Sequence, residues 1–154
     1  MKKIIFSFFI LFICSFAFSH EVLRLQPCHD PAIEKQADSI KQLVAKDGFT
    51  LLKESSITME SEYELPTIVP LQEGSLYHFV FIGEAGSRLY EVRMYDWDEK
   101  MIIYQKKEGS EGNIIAFSYV PNAALPHMFN SLQVNKKKKK GLCGYVMLFK
   151  KTKA

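Results

Sequence analysis

The chain has 154 residues, 47% of them hydrophobic, and a formal charge of +3. That is one domain with enough chain for a real core. The positive balance is local: without Lys2 and Lys3 there are 18 basic against 17 acidic residues, and without Lys136 to Lys140 as well, 13 against 17. The body is mildly acidic, which speaks against a generally basic, nucleic-acid-binding surface.

Residues 1–19 read as a secretory signal peptide. Lys2 and Lys3 open it, residues 4–16 are apolar, and Ala17-Phe18-Ser19 forms a small-x-small cleavage site. A transmembrane anchor, the alternative, needs about 20 apolar residues, and His20 and Glu21 close the run early. Cys14 follows Ile13, not the small residue of a lipoprotein site, and is expected to leave with the signal. The mature chain, residues 20–154, is expected to be secreted, periplasmic or on the cell surface, with no transmembrane segment. It keeps Cys28 and Cys143. In an exported protein two cysteines suggest one disulfide, with two free thiols as the alternative.

Asp30-Pro31 predicts a helix start, an N-cap followed by a proline at the first helical position. Ile33, Ala37, Ile40 and Val44 recur at helical spacing, and Gly48 is the expected stop. The reading is an amphipathic helix over 31–46, packed by one stripe on the domain. From Phe49 to Met59 the pattern has period two, with Ser55-Ser56 as a candidate bulge or sheet change. Residues 63–71 carry Pro66 and Pro70 and can form only an edge strand.

Residues 76–82, between Gly74 and Gly83, are an almost unbroken apolar run and predict a central strand covered on both faces. Residues 89–97 alternate: Tyr90, Val92 and Met94 point one way, Glu91, Arg93 and Tyr95 the other. Asp98-Glu99 turns the chain into residues 101–104. These three strands are expected to form an antiparallel meander. Residues 106–113 read as a polar loop. Further strands are expected over 114–120, 128–134 and 142–149, with Lys150, Lys151 and Lys153 as a frayed tail. About eight strands at turn spacings of about 8–12 residues, without alternating helices, exclude a parallel sheet. The expected fold is all-β, an antiparallel two-sheet sandwich of jelly-roll type with one N-terminal amphipathic helix; a closed barrel is the alternative.

The rhythm of the chain resembles a family. A glycine turn precedes a Tyr-x-Phe strand at Gly74, Tyr77 and Phe79. An alternating strand ends in Tyr95-Asp96, and a later pair of strands spans 114–134. A strand with Cys143 leads into a lysine tail. Over residues 49–151 this is similar to small secreted bacterial β-sandwiches of the pre-peptidase C-terminal domain type. The resemblance implies a non-catalytic accessory, adhesion or targeting role. The chain departs from it in its N-terminal helix and Trp97, and these residues include no protease.

No Gly-x-Ser-x-Gly, His-Glu-x-x-His, phosphate loop or Cys-x-x-Cys is present. Cys143 with His78 or His127 could imitate a Cys–His nucleophile pair, which a disulfide would remove. Asp96, Asp98 and Glu99 gather carboxylates at one hairpin, a start for calcium if Glu84, Glu108 or Glu111 joined them. The calcium-loop spacing is absent, and a charged solvated turn is the alternative. No other cofactor is expected.

Tyr95, Trp97 and Tyr104 lie on or near the same hairpin. Their parity with Arg93 turns Tyr95 and Trp97 away from the core unless a second layer covers them. Exposed, they would stack on sugar rings or anchor a protein; covered, they are core. Lys136, Lys137, Lys138, Lys139 and Lys140 form a loop that repels itself and needs solvent or an anionic lipid, glycan or envelope polymer. The expected function is an exported, non-catalytic binding or cell-envelope module for a carbohydrate or protein of the envelope. The alternatives are a protease accessory or inhibitor, an enzyme whose site carries no motif, and a structural subunit of an exterior assembly.

Overall fold

The computed structural model describes residues 26–152. The expected signal peptide, Cys14 and Lys153 lie outside the described residues. A single helix, α1 (Pro31–Lys46), precedes eight strands: β1 (Phe49–Met59), β2 (Leu65–Pro70), β3 (Tyr77–Gly83), β4 (Leu89–Tyr95), β5 (Met101–Glu108), β6 (Ile114–Tyr119), β7 (Pro126–Val134) and β8 (Leu142–Lys151).

The strands form two four-stranded sheets, ordered β1-β8-β3-β6 and β2-β7-β4-β5, with every pair antiparallel. This is the expected jelly-roll sandwich. The sheets meet on Phe79 and Phe81 of β3, Tyr90, Val92 and Met94 of β4, Phe129 of β7 and Val146 and Leu148 of β8. The Phe79 and Phe129 rings stack across the gap at 4.5 Å.

The helix makes a third layer. Asp30 caps it, accepting from the backbone N–H of Ala32 at 2.9 Å and of Ile33 at 3.3 Å. Gly48 ends it with φ +79°, a conformation glycine adopts without strain. Ile33, Ala37 and Val44 bury themselves on Val80, Ile82, Met147 and Phe149, the outer face of the first sheet. Strand β3 is therefore covered on both faces, with Phe79 and Phe81 toward the second sheet and Val80 and Ile82 toward the helix. A disulfide joins Cys28, just before α1, to Cys143 of β8 across 115 residues of sequence. It fastens the helical layer to the sandwich. The Cys143 sulfur is thereby taken, which removes the Cys–His nucleophile reading.

Four local expectations change. The meander is split: β4 and β5 form a hairpin in the second sheet, but β3 lies in the first. Alternation reports which face of a strand is buried, not which sheet it joins. The bulge in β1 falls between Leu51 and Lys53, not at Ser55-Ser56. Strand β5 continues to Glu108, because Lys106 and Lys107 pair with Glu91 and Tyr90 at a sheet edge where long polar side chains reach water. Lys150 and Lys151 pair with Thr50 and Phe49 in β8 and are not frayed. The edge position of β2, with Pro66 and Pro70, is as expected.

Candidate functional site

The two sheets differ in what covers them. The outer face of the first carries α1; among the described residues no element packs on the outer face of the second. The pleat settles which side chains stand there. In β7, His127, Phe129, Ser131 and Gln133 are buried, so Met128, Asn130 and Leu132 face outward. In β4, Tyr90, Val92 and Met94 are fully buried, so Glu91, Arg93 and Tyr95 face outward.

Register then assembles rows across the sheet. Ile68 pairs with Met128, Met128 with Tyr95, and Tyr95 with Met101. This apolar row crosses all four strands, and its ends, Ile68 and Met101, are 62% and 51% exposed. In the next row Pro66 pairs with Asn130, Asn130 with Arg93, and Arg93 with Tyr104. The Arg93 guanidinium donates to Glu64, and to Glu91 Oε2 at 2.6 Å. Asn130 Nδ2 donates to the other Glu64 oxygen at 2.7 Å. The guanidinium lies 5.6 Å from the centre of the Tyr104 ring, within cation–π range. Burial disfavours the Arg93 charge, but Glu64 and then Glu91 more than offset it, and its pKa is raised.

Trp97 stands in the turn after β4 and is 64% exposed; Tyr104 is also exposed and Tyr95 is partly so. Tyr95 has the outward parity expected of it; the strand stops there, short of the expected residue 97, so Trp97 is exposed by its place in the turn and not by strand parity. The turn is held by its own acid. Asp96 Oδ1 accepts from the backbone N–H of Asp98 at 3.0 Å and of Lys100 at 2.9 Å, and Glu99 adopts φ +59°. Asp96, Asp98 and Glu99 share this turn, yet among the described residues no three His, Cys, Asp or Glu side chains are grouped to hold a metal ion.

Lys136, Lys137, Lys138, Lys139 and Lys140 are all exposed, in the loop between β7 and β8. Two are paired within the chain: Lys138 with Glu62 at 3.8 Å and Lys139 with Glu84 at 2.9 Å. His78 is half-buried beside Phe49 and Phe149, with Nδ1 2.9 Å from Ser118 Oγ; burial lowers its pKa. His127 is buried, with Nδ1 2.9 Å from the Leu125 carbonyl. Both are packed structural side chains.

Sequence reasoning found the hairpin aromatics but not Ile68, Met128, Met101 or the Glu64–Arg93–Asn130 network. Parity in β2 and β7 marks which of these side chains point outward. It does not say that β7 lies between β2 and β4.

No protein-family model and no curated protein matches the chain. Distant matches among solved structures include β-sandwich modules. A CBM4 structure is 14% identical over 66% of this chain and 74% of its own, with a TM-score of 0.39. The K3 cleaved adhesin domain of Lys-gingipain from Porphyromonas gingivalis is 11% identical over 64% of this chain and 74% of its own, at 0.37. A Gap123 glycosylation-associated protein complex from Streptococcus agalactiae is 12% identical over 67% and 39%, at 0.34. Scores this low carry no argument about function. The resemblance to the pre-peptidase C-terminal domain likewise has no matching family model behind it.

Proposed function

We propose that the protein is an exported, non-catalytic binding module, that its contact surface is the outer face of the second sheet, and that its partner is a protein. The observation that carries this reading is the apolar row Ile68–Met128–Tyr95–Met101, which crosses an uncovered sheet. On the other outer face Val80, Ile82, Met147 and Phe149 are buried against the helix; among the described residues nothing covers this row. A contiguous exposed apolar patch marks an interaction surface. Its composition also favours a protein: aromatic residues, Met and Arg are the types enriched at protein interfaces. Trp97 and Tyr104 are the candidate anchors. Arg93 is already held by Glu64 and Glu91, so little side-chain freedom would be lost on contact. The disulfide suits an oxidising, exterior compartment.

Tyr104 and Trp97 near carboxylates also favour a second reading, a glycan stacked on the rings with its hydroxyls on Glu91 or Asp98. One comparison separates the two. The protein is immobilised, envelope proteins of the producing cell are captured on it, and a captured protein is purified and titrated back. The protein reading expects Ile68→Glu and Trp97→Ala each to weaken that pair by at least about tenfold, with Lys46→Gln unchanged. Loss of glycan binding in Trp97→Ala, with no protein pair that responds to Ile68→Glu, overturns it in favour of the glycan.

A further inference from the structure

We infer that the protein rests end-on on an anionic phospholipid bilayer, through Arg88 and the lysines of loop 136–140, independently of whatever its second sheet binds. The loop is built into the fold. Lys137 N–H donates to Asn135 Oδ1 at 2.9 Å, Ser61 N–H donates to the Lys139 carbonyl at 2.9 Å, and Asn135 Nδ2 donates to the Gly86 carbonyl at 3.2 Å. Five like charges are thus held side by side on a fixed backbone, where they repel one another.

Self-neutralisation is incomplete. Lys138 and Lys139 have Glu62 and Glu84, but among the described residues Lys136, Lys137, Lys140 and Arg88 have no ion-pair partner. Arg88 comes from a different loop, between β3 and β4, and meets Lys136 at a cavity of about 320 Å³ that Ser110 and Glu108 also line. The Glu108 carboxylate is engaged by the 3-10 turn that follows it and lies 3.6 Å from Lys106. Two cations from separate loops therefore converge on one opening suited to a phosphate group.

The shape of the charge selects a planar surface. A filamentous polyanion is bound along a cationic track. Among the described residues the adjoining sheet offers no row of free cations: Arg93 is paired with Glu91 and Glu64, Lys106 with Glu108, and Lys107 donates to the Ile114 carbonyl at 3.1 Å. Arg88, Lys136, Lys137 and Lys140 instead cluster at one end of the sandwich, and a lipid surface presents its phosphates to such a cluster all at once. Residues 135–141 contain no apolar side chain, so contact is electrostatic and reversible. Strand β4, Leu89–Tyr95, lies between Arg88 and the Trp97 turn and spans about 20 Å at the usual strand rise. The lysine end would face the lipid and the Trp97 turn would stand away from it.

The test is co-sedimentation of the purified protein with vesicles of phosphatidylcholine alone and of phosphatidylcholine mixed with phosphatidylglycerol. Binding is expected only to the mixed vesicles and should be lost at high salt. The triple variant Lys136→Gln/Lys137→Gln/Lys140→Gln should bind them on the order of a hundredfold more weakly. Arg88→Gln should give a smaller loss and Lys46→Gln none. A thermal melt confirms that the triple variant, altered only at exposed positions, is folded. Equal binding to both vesicles, or undiminished binding by the folded triple variant, overturns the inference. Binding to soluble polyphosphate without binding to the mixed vesicles overturns it in favour of a free polyanion.

Discussion

Gly83 lies directly beneath the ring of Tyr90: a Cβ at position 83 would stand 2.4 Å from a Tyr90 ring carbon. The Tyr90 hydroxyl donates to the Glu84 carbonyl at 2.7 Å, so the ring is held on the chain that crosses between the sheets. The contact also explains where the expected meander breaks. Strand β3 ends at Gly83, and β4 starts over in the opposite sheet, pressed against that glycine.

Gly83→Ala should therefore destabilise by about 1–3 kcal/mol, because Tyr90 is fully buried and has no room to yield. Gly141→Ala is the control, since a Cβ there meets nothing within 4 Å. Urea unfolding of both variants checks this; equal midpoints would contradict it.

The Cys28–Cys143 bridge closes a span of 115 residues. Its reduction should cost up to about 4–5 kcal/mol in the chain-entropy picture. Because Cys28 precedes the helix, loosening of α1 should come first, uncovering Val80 and Ile82 of the first sheet. Melts with and without reductant, followed by helical circular dichroism, test this. An unchanged midpoint would mean that the bridge contributes nothing.

Much of this fold was legible because its strands obey simple patterns. Asp30-Pro31 announced the helix, and Pro66 and Pro70 confined β2 to an edge. The parity of residues 89–95 separated Tyr90, Val92 and Met94 from Glu91, Arg93 and Tyr95. What stayed hidden depends on neighbours in space. Strand β3 resembles the start of a meander until β8 and β6 are seen on either side of it. The polar side chains of Lys106 and Lys150 hid strand ends, because edge and outer-face positions tolerate them. Gln133 is polar, yet it is fully buried. It accepts from Ser87 Oγ at 3.1 Å and from Glu84 N–H at 3.0 Å, and donates to the Cys143 carbonyl at 3.1 Å. These partners come from two separate segments, the β3–β4 loop and β8, so no local pattern announces it. The site was half legible for the same reason: Trp97 and Tyr104 share a hairpin, whereas Ile68 and Met128 reach it only through strand order.

Stability should fall in strong alkali. Burial, then the hydrogen bond to Glu54, push the Tyr145 hydroxyl up to about 12. The folded state keeps that proton after the unfolded chain has lost it near pH 10. The contribution is therefore complete below about pH 10 and disappears as pH rises toward about 12. Tyr145→Phe should make the decline shallower. Tyr90 and Tyr119 are also raised by burial, so some of the decline should remain. A variant with the full wild-type slope would contradict the assignment.

Trp97 and Phe129 offer a paired test of surface against core. Trp97→Ala should change stability by no more than about 0.5 kcal/mol, as at other exposed positions. Phe129→Ala should cost about 3–5 kcal/mol, since its ring stacks on Phe79 between the sheets. Denaturant titration of the two variants decides. A large loss for Trp97→Ala would make it a structural residue and remove it from the contact surface.

The most direct measurement is photo-crosslinking in the producing cell, with a photoreactive phenylalanine analogue at position 104 and, separately, at position 46 of the helix. Both sites are exposed, but only position 104 lies on the outer face of the second sheet. We predict a discrete covalent adduct with another polypeptide from position 104, lost on Ile68→Glu, and none from position 46. Adducts from position 46 alone, or the same adduct from position 104 despite Ile68→Glu, would contradict a protein-binding role for this face.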